Sequence, residues 1–175
     1  GLLEQNARLG QYIGYLEGEE HERRVSYADL HQRALGILRH LQDLGATRGD
    51  KLIVFLNNNE AFMDGFWAAM AGGIVPVPVA VGISDEHRHK LLRIARRLGD
   101  PWLYTDRRTL DRLVAFAEGA GESALGQRLR SRAFLIDELE DVTRPGRPAS
   151  PGPDDPAFIQ FSSGSTSDPK GVVLT

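Results

Sequence analysis

The sequence of 175 residues contains no cysteine, which excludes a disulfide scaffold, a thiolate metal site and a cysteine nucleophile. No apolar run approaches the roughly 20 residues that span a bilayer, and the N-terminus shows no pattern typical of a secretory signal peptide. A strong excess of one charge is also missing, since 21 Lys and Arg stand against 24 Asp and Glu. We therefore expect a cytoplasmic protein with no membrane span that binds no nucleic acid.

The composition is that of a folded globular domain, with 41% hydrophobic and 26% charged residues. The sequence begins at Gly1 without a methionine and stops at Thr175, inside an apolar run that is typical of a strand. From these two features we expect the chain to be part of a longer protein.

Apolar residues recur at helical spacing after Ser26, which is a suitable helix N-cap with Asp29 three residues later. This pattern predicts a helix over 27–44 that ends at Gly45. Similar patterns predict further helices over 60–71, 85–98 and 107–117, with 119–126 as a loop and a short helical turn after it. Between them, short apolar runs predict strands over 51–56, 74–81, 102–105 and 133–136.

Strands that alternate with helices predict an α/β fold: a mostly parallel sheet with helices on both faces. Pro76 and Pro78 interrupt one strand, which predicts that it lies at an edge of the sheet. We divide the chain into an α/β part over 1–142, a proline-rich linker over 143–156 and a strand–loop–strand hairpin over 157–175. Five of the fourteen linker residues are proline, so we expect this segment to be extended and unpacked.

The loop of this hairpin is the most informative stretch of the chain. Five hydroxyl side chains fall within six positions, followed by a lysine and a glycine. Short hydroxyl donors, free backbone N–H groups and one mobile cation are what a polyphosphate site needs. Glycines in such a loop let the backbone adopt a positive φ and approach an anion closely. The candidate phosphate-binding residues are Ser162, Ser163, Gly164, Ser165, Thr166, Ser167, Lys170 and Gly171.

The spacing matches neither of two common phosphate motifs. A Walker A loop has its lysine after the second glycine and continues into a helix, whereas Lys170 precedes Gly171 and a strand follows. The dinucleotide-binding pattern G-x-G-x-x-G is absent as well. A serine-rich surface loop without a ligand is the simpler alternative, but two flanking apolar strands and the Pro-Lys-Gly ending favour a functional loop.

The segment 158–172, with the sequence FIQFSSGSTSDPKGV, resembles the phosphate-binding signature of the adenylate-forming superfamily. This superfamily includes acyl-CoA synthetases, fatty acyl-AMP ligases and the adenylation domains of nonribosomal peptide synthetases. Upstream segments resemble the family in order and spacing: SYADL at 26–30, GDKLI at 49–53 and GGIVPVP at 72–78. The resemblance covers nearly the whole chain.

The resemblance implies a ligase that converts a carboxylic acid and ATP, with Mg²⁺, into an acyl-adenylate and pyrophosphate. The acyl group then passes to the thiol of CoA or of a phosphopantetheine on an acyl or peptidyl carrier protein. It also implies that the loop holds the β- and γ-phosphates, with Ser165 and Thr166 as hydroxyl donors and Lys170 as the cation. The form Val-Pro-Val-Pro-Val at 75–79 favours a fatty or aryl acid over an amino acid.

The chain departs from the family pattern at Ser167, where most members have glycine. The family's adenine pocket, Mg²⁺-binding glutamate, ribose-binding aspartate and catalytic lysine lie downstream of the loop. We therefore assign no catalytic and no metal-binding residue here and expect the chain alone to be inactive. Two alternatives remain: an interaction module that keeps the loop without binding nucleotide, and a phosphotransferase with a non-Walker loop.

A basic stretch over 87–97 contains two His and five Lys or Arg residues. It could contact CoA phosphate or an acidic carrier protein. A solvated helix face is the favoured interpretation, because charge runs on helices are normally exposed. His87 and His89 are two residues apart and do not share a helix face, which argues against a metal site.

Overall fold

The computed structural model describes residues 2–17, 21–82, 84–162 and 169–175. The helices are α1 (Leu2–Ala7), α2 (Tyr27–Asp43), α3 (Asn59–Gly72), α4 (Asp85–Leu98), α5 (Arg107–Gly119) and α6 (Ser123–Ser131), with a short 3₁₀ turn at Ile136–Glu138. The strands are β1 (Tyr12–Glu17), β2 (His21–Ser26), β3 (Lys51–Val54), β4 (Val75–Pro78), β5 (Trp102–Thr105), β6 (Ala133–Leu135), β7 (Phe158–Phe161) and β8 (Gly171–Leu174). No helix among the described residues has both the length and the apolar character to cross a membrane.

The predicted helix start at Ser26 is confirmed. The Ser26 hydroxyl oxygen accepts the backbone N–H of Asp29 at 3.0 Å, and its O–H donates to the Asp29 carboxylate at 2.7 Å. This reciprocal cap satisfies a backbone donor that has no partner within the helix. Because Ser26 also ends β2, the cap connects the β1–β2 hairpin directly to α2.

The central sheet has the strand order β4-β3-β5-β6, and every pair in it is parallel. β4 lies at an edge, as its prolines predict. The N–H groups of Val75 and Val79 donate to carbonyls of Asp50 and Val54 at 2.8 and 3.1 Å. Pro76 and Pro78, which have no N–H, alternate with these donors and leave the pairing with β3 intact.

Helices cover both faces of this sheet, and the fold prediction is confirmed. Successive residues of β3 point to opposite faces, so Leu52 and Val54 pack with α2 and α3 while Ile53 packs with α4 and α5. β5 alternates in the same way. The fully buried side chains of the two layers include Leu38, Leu41, Leu52 and Tyr104 on one face and Ile53, Leu91, Leu92, Ile94, Leu103, Leu110 and Leu113 on the other.

Two helices differ from the sequence prediction. No helix is predicted at α1, and α6 begins earlier than expected, inside the predicted loop over 119–126, and extends through the predicted helical turn after it. α6 forms because Leu125 and Leu129 are four residues apart and both are buried against the sheet layer. Tertiary burial thus outweighs the local glycine content that favoured a loop.

The proline-rich segment over 143–156 has no helix or strand, but the expectation that it does not pack is wrong. The N–H of Gly146 donates to the Leu35 carbonyl of α2 at 2.7 Å. The Gln42 side chain donates to the Arg147 carbonyl at 2.8 Å and accepts its N–H at 2.9 Å. These hydrogen bonds attach the segment to α2. They give partners to backbone groups of Gly146 and Arg147, which have no partner in a sheet.

Candidate functional site

The strand–loop–strand hairpin closes tightly at its root. β7 and β8 pair antiparallel, with Phe161 opposite Gly171. One step beyond this pair, the N–H of Ser162 donates to the Lys170 carbonyl at 3.0 Å. This bond brings together the two residues that lead into and out of the loop.

The candidate phosphate-binding residues fall into two groups. Ser162, Lys170 and Gly171 lie at the root of the hairpin, and all three are exposed. The remaining candidates lie outside the described residues: Ser163, Gly164, Ser165, Thr166 and Ser167. The phosphate-binding role of these five residues stays a prediction, as does that of Ser162, Lys170 and Gly171.

Gly171 is needed for close packing and not for a positive φ, which corrects the expectation for this glycine. Its φ is not in the left-handed region. A Cβ at this position would lie 3.0 Å from two ring atoms of Phe161 and 3.2 Å from Cγ2 of Ile159. Any larger residue would push the ring of Phe161 away, so Gly171 permits the close approach of β8 to β7.

The exit of the loop contacts α4, a helix that is distant from it in sequence. Pro169 is buried, and its carbonyl accepts a hydrogen bond from Nη1 of Arg97 at 3.4 Å. Arg97 lies at the C-terminal end of α4 and is 72 positions away in sequence. The basic composition of 87–97 was the only sequence signal, and it favoured a solvated face.

A cleft of about 1090 Å³ borders the root of the loop. Its wall combines residues that follow the carboxyl ends of β3 and β4, the first turns of α3, one side of α4, and the hairpin. Open α/β sheets bind ligands at this edge. The lining residues are mainly apolar, with polar groups at Asn59, Glu86, His87, Lys90, Gln160 and Ser162.

His87 is an exposed residue of this wall with one side-chain hydrogen bond and one close backbone contact. Its Nδ1 lies 2.7 Å from the Ser84 hydroxyl oxygen. A Cβ at Gly82 would lie 2.0 Å from Cγ of His87, so the backbone at Gly82 packs directly on the imidazole. Across the part of the chain that the structure describes, no group of His, Asp and Glu side chains could hold a metal ion.

An ion-pair network braces α3, whose first turn contributes to the cleft. Arg33 of α2 donates from Nε to Oδ2 of Asp64 at 2.9 Å and from Nη2 to Oδ1 at 3.0 Å. Nη2 also lies 2.9 Å from Oε1 of Glu60. Burial raises the pKa of the Asp64 carboxyl, and the hydrogen bonds from Arg33 oppose that rise. The network therefore ties α3 to α2 through a largely buried carboxylate.

The model of one protein family, described as AMP-binding enzyme, matches residues 4–175. This chain belongs to the AMP-binding enzyme family. The predicted membership in the adenylate-forming superfamily is thereby confirmed. Members of this superfamily are carboxylate-activating ligases, and the hairpin described above lies at the end of the matched range.

Similar proteins in the AMP-binding family include both CoA ligases and peptide synthetases. Phosphinothricin tripeptide synthetase PhsC of Streptomyces viridochromogenes is 31% identical and aligns with 99% of this chain and 15% of its own length. The putative fatty-acid–CoA ligase fadD25 of Mycobacterium tuberculosis is 24% identical, over 88% of this chain and 26% of its own. This chain thus spans about a quarter or less of these relatives.

A solved structure shows the same fold. The McyG A-PCP structure, complexed with phenylalanyl-adenylate, superposes with a TM-score of 0.84 at 28% identity. The match covers 99% of this chain and 31% of that one. The α/β arrangement of sheet, helices and hairpin is therefore the arrangement of an adenylation domain over this part of the chain.

Proposed function

We propose that this chain forms the N-terminal part of an ATP-dependent ligase that converts a carboxylic acid into an acyl-adenylate, with release of pyrophosphate. The observation that carries the proposal is the closed hairpin root, with exposed Ser162 and Lys170 joined by a hydrogen bond, in a chain of the AMP-binding family. The sequence between these two residues supplies the further hydroxyl and glycine donors that a polyphosphate needs.

In the proposed reaction a carboxylate oxygen attacks the α-phosphorus of ATP. A new P–O bond forms, the bond to the β-phosphate breaks, and pyrophosphate leaves with the bonding electrons. Negative charge grows on the leaving group, so donors already aimed at it stabilise the transition state more than the ground state. Lys170 and the loop hydroxyls Ser165 and Thr166 have this role in the proposal.

Among the described residues, no cluster of carboxylate and imidazole side chains could hold the Mg²⁺ that accompanies ATP. After adenylation, the acyl group passes to the thiol of CoA or of a phosphopantetheine on a carrier protein. The similarity to a fatty-acid–CoA ligase and to a peptide synthetase supports a thiol acceptor of either kind.

For the acid, we propose a fatty or aryl substrate in preference to an amino acid. The support is the segment Val75–Val79, which contributes Pro78 and Val79 to the wall of the cleft. The relatives with fatty-acid–CoA ligase in their names are consistent with this preference, whereas the peptide synthetase represents the opposite choice.

The test is ATP–pyrophosphate exchange by the full-length protein with a panel of fatty, aryl and amino acids. Exchange that depends on added carboxylic acid, and is strongest with a fatty or aryl acid, is expected. Exchange only with amino acids would overturn the substrate class alone. No acid-dependent exchange would overturn the ligase and favour an interaction module or a phosphotransferase.

A further inference from the structure

One side of α4 runs along the root of the phosphate loop. Glu86, Lys90 and Ile94 are four residues apart and line the cleft together with Ser162. Arg97 follows three residues later on the same side and contacts the carbonyl of Pro169 at the loop exit. Arg93, three residues after Lys90 and four before Arg97, lies on the same side. This side of α4 therefore contains three cationic side chains, Lys90, Arg93 and Arg97.

Arg97 differs from Arg88 and Arg96 in how its charge is compensated, and like Lys90 and Arg93 it has no ion pair with a described residue. Arg88 forms an ion pair with Asp85 at 2.6 Å, and Arg96 pairs with Glu122. Within 2–17, 21–82, 84–162 and 169–175, no carboxylate lies within ion-pair distance of Arg97. Its positive charge thus stays uncompensated by those residues, beside the loop.

The position of the contact connects Arg97 with Lys170. The accepting carbonyl belongs to Pro169, which is buried and directly precedes Lys170. The next carbonyl, that of Lys170, accepts the N–H of Ser162 at 3.0 Å. The backbone on both sides of the Lys170 Cα is thus hydrogen-bonded. Arg97 of α4 binds the Pro169 carbonyl, and Ser162 at the loop entry binds the Lys170 carbonyl.

We propose that Arg97 is a positioning residue for Lys170 and that its charge adds to the affinity of the loop for a polyphosphate. The hydrogen bond to Pro169 restricts the loop exit, and the guanidinium retains further N–H donors. A cation near the bound anion contributes through Coulomb attraction, which water and salt weaken. The inference rests on the proposed phosphate-binding role of the loop.

The probe is inorganic pyrophosphate, titrated into the full-length protein by calorimetry at several salt concentrations. Arg97→Gln keeps a donor but removes the charge, and Arg97→Lys keeps both. Arg96→Gln is the matched control, since Arg96 is the adjacent arginine and pairs away from the loop with Glu122. Melting temperatures are recorded for each variant.

Arg97→Gln should raise the dissociation constant for pyrophosphate about three- to tenfold, since a partly solvated charge contributes modestly. The salt dependence should become shallower, which a purely structural role would not produce. Arg97→Lys should lie within about twofold of the wild type, because a lysine restores charge and donor. Arg96→Gln should also bind as the wild type does.

Three results would overturn the inference: unchanged binding in Arg97→Gln, equal weakening in Arg96→Gln, or weakened binding with an unchanged salt slope. Acid-dependent exchange together with unchanged pyrophosphate binding in Arg97→Gln would refute the role of Arg97 and support the proposed ligase function. Weakened pyrophosphate binding in Arg97→Gln without any acid-dependent exchange would support the role of Arg97 and refute the proposed ligase function. A wild-type protein that binds no pyrophosphate would contradict both.

Discussion

The Arg33–Asp64 pair offers a quantitative test of how α3 is held beside the cleft. The side chain of Asp64 is 10% exposed and that of Arg33 is 26% exposed, so the pair is mostly removed from water. Arg33→Met keeps much of the apolar stem and removes the guanidinium. Asp64 then keeps a buried charge without its bidentate partner, close to the carboxylate of Glu60.

Breaking such a pair should lower the free energy of unfolding by about 3 kcal/mol near neutral pH, the lower end of the range for buried pairs, because Arg33 is partly exposed. Arg39→Met is the matched control on the same helix. Its pair with Asp43 is exposed on both sides, at 46% and 56%. Exposed pairs contribute little, so this control should unfold almost as the wild type does.

The loss in Arg33→Met should also depend on pH. Burial holds the pKa of Asp64 above its ordinary value of 3.8, and removing Arg33 takes away the main opposing influence. For a raised carboxyl pKa, the folded state is favoured while the group is protonated, and stability is lost as pH rises through the folded-state pKa. The difference between variant and wild type should therefore shrink as pH falls from about 7 to about 4.5.

Urea denaturation followed by circular dichroism measures both effects, at matched pH values for the wild type and the two variants. Equal losses in Arg33→Met and Arg39→Met would refute the assignment of a buried, stabilising pair. A loss in Arg33→Met that grows on acidification would refute the sign of the Asp64 pKa shift.

Two further predictions concern packing and completeness. A Cβ at Gly36 would lie 2.0 Å from the Val142 carbonyl oxygen, so Gly36→Ala should cost about 2 kcal/mol or more by overpacking. Gly119→Ala is the helix control, with nothing near its added Cβ, and thermal melting should show a shift for Gly36→Ala alone. The 175-residue chain by itself should fold but release no pyrophosphate from ATP with any carboxylic acid; a pyrophosphate-release assay that detects turnover would contradict this.

Much of the fold could be predicted because local and tertiary preferences agree. The capped helix after Ser26, the apolar strands of the sheet and the edge position of the Pro76 strand all follow from short-range patterns. The hairpin around the loop follows as well, because two apolar runs flank a stretch of small polar residues. These are the elements in which periodicity, capping and turn chemistry all favour the same structure.

The missed features depend on contacts between residues far apart in sequence. α6 forms through burial of Leu125 and Leu129, and the proline-rich segment packs through Gly146 and Gln42. The contact of Arg97 with Pro169 is of the same kind. No local pattern distinguishes such an arginine from its exposed neighbours, so only the structure connects α4 with the loop.

In the proposed function, Lys170 at the end of the loop stabilises the departing pyrophosphate. The direct measurement is single-turnover kinetics of the two half-reactions in the full-length protein, with melting temperatures alongside. Lys170→Ala should slow adenylation by roughly 10²- to 10³-fold, the effect of losing one donor to developing charge. Thr166→Ala removes a neutral donor and should cost about 1 kcal/mol.

Thiol transfer from preformed acyl-adenylate should hardly change in Lys170→Ala, because pyrophosphate has already left at that stage. Lys51→Ala is the control, since Lys51 lies at the amino end of β3, opposite the edge that borders the cleft. It should leave both steps intact. Selective loss of adenylation in Lys170→Ala is the predicted result; equal slowing of both half-reactions, or full adenylation activity, would contradict the claim.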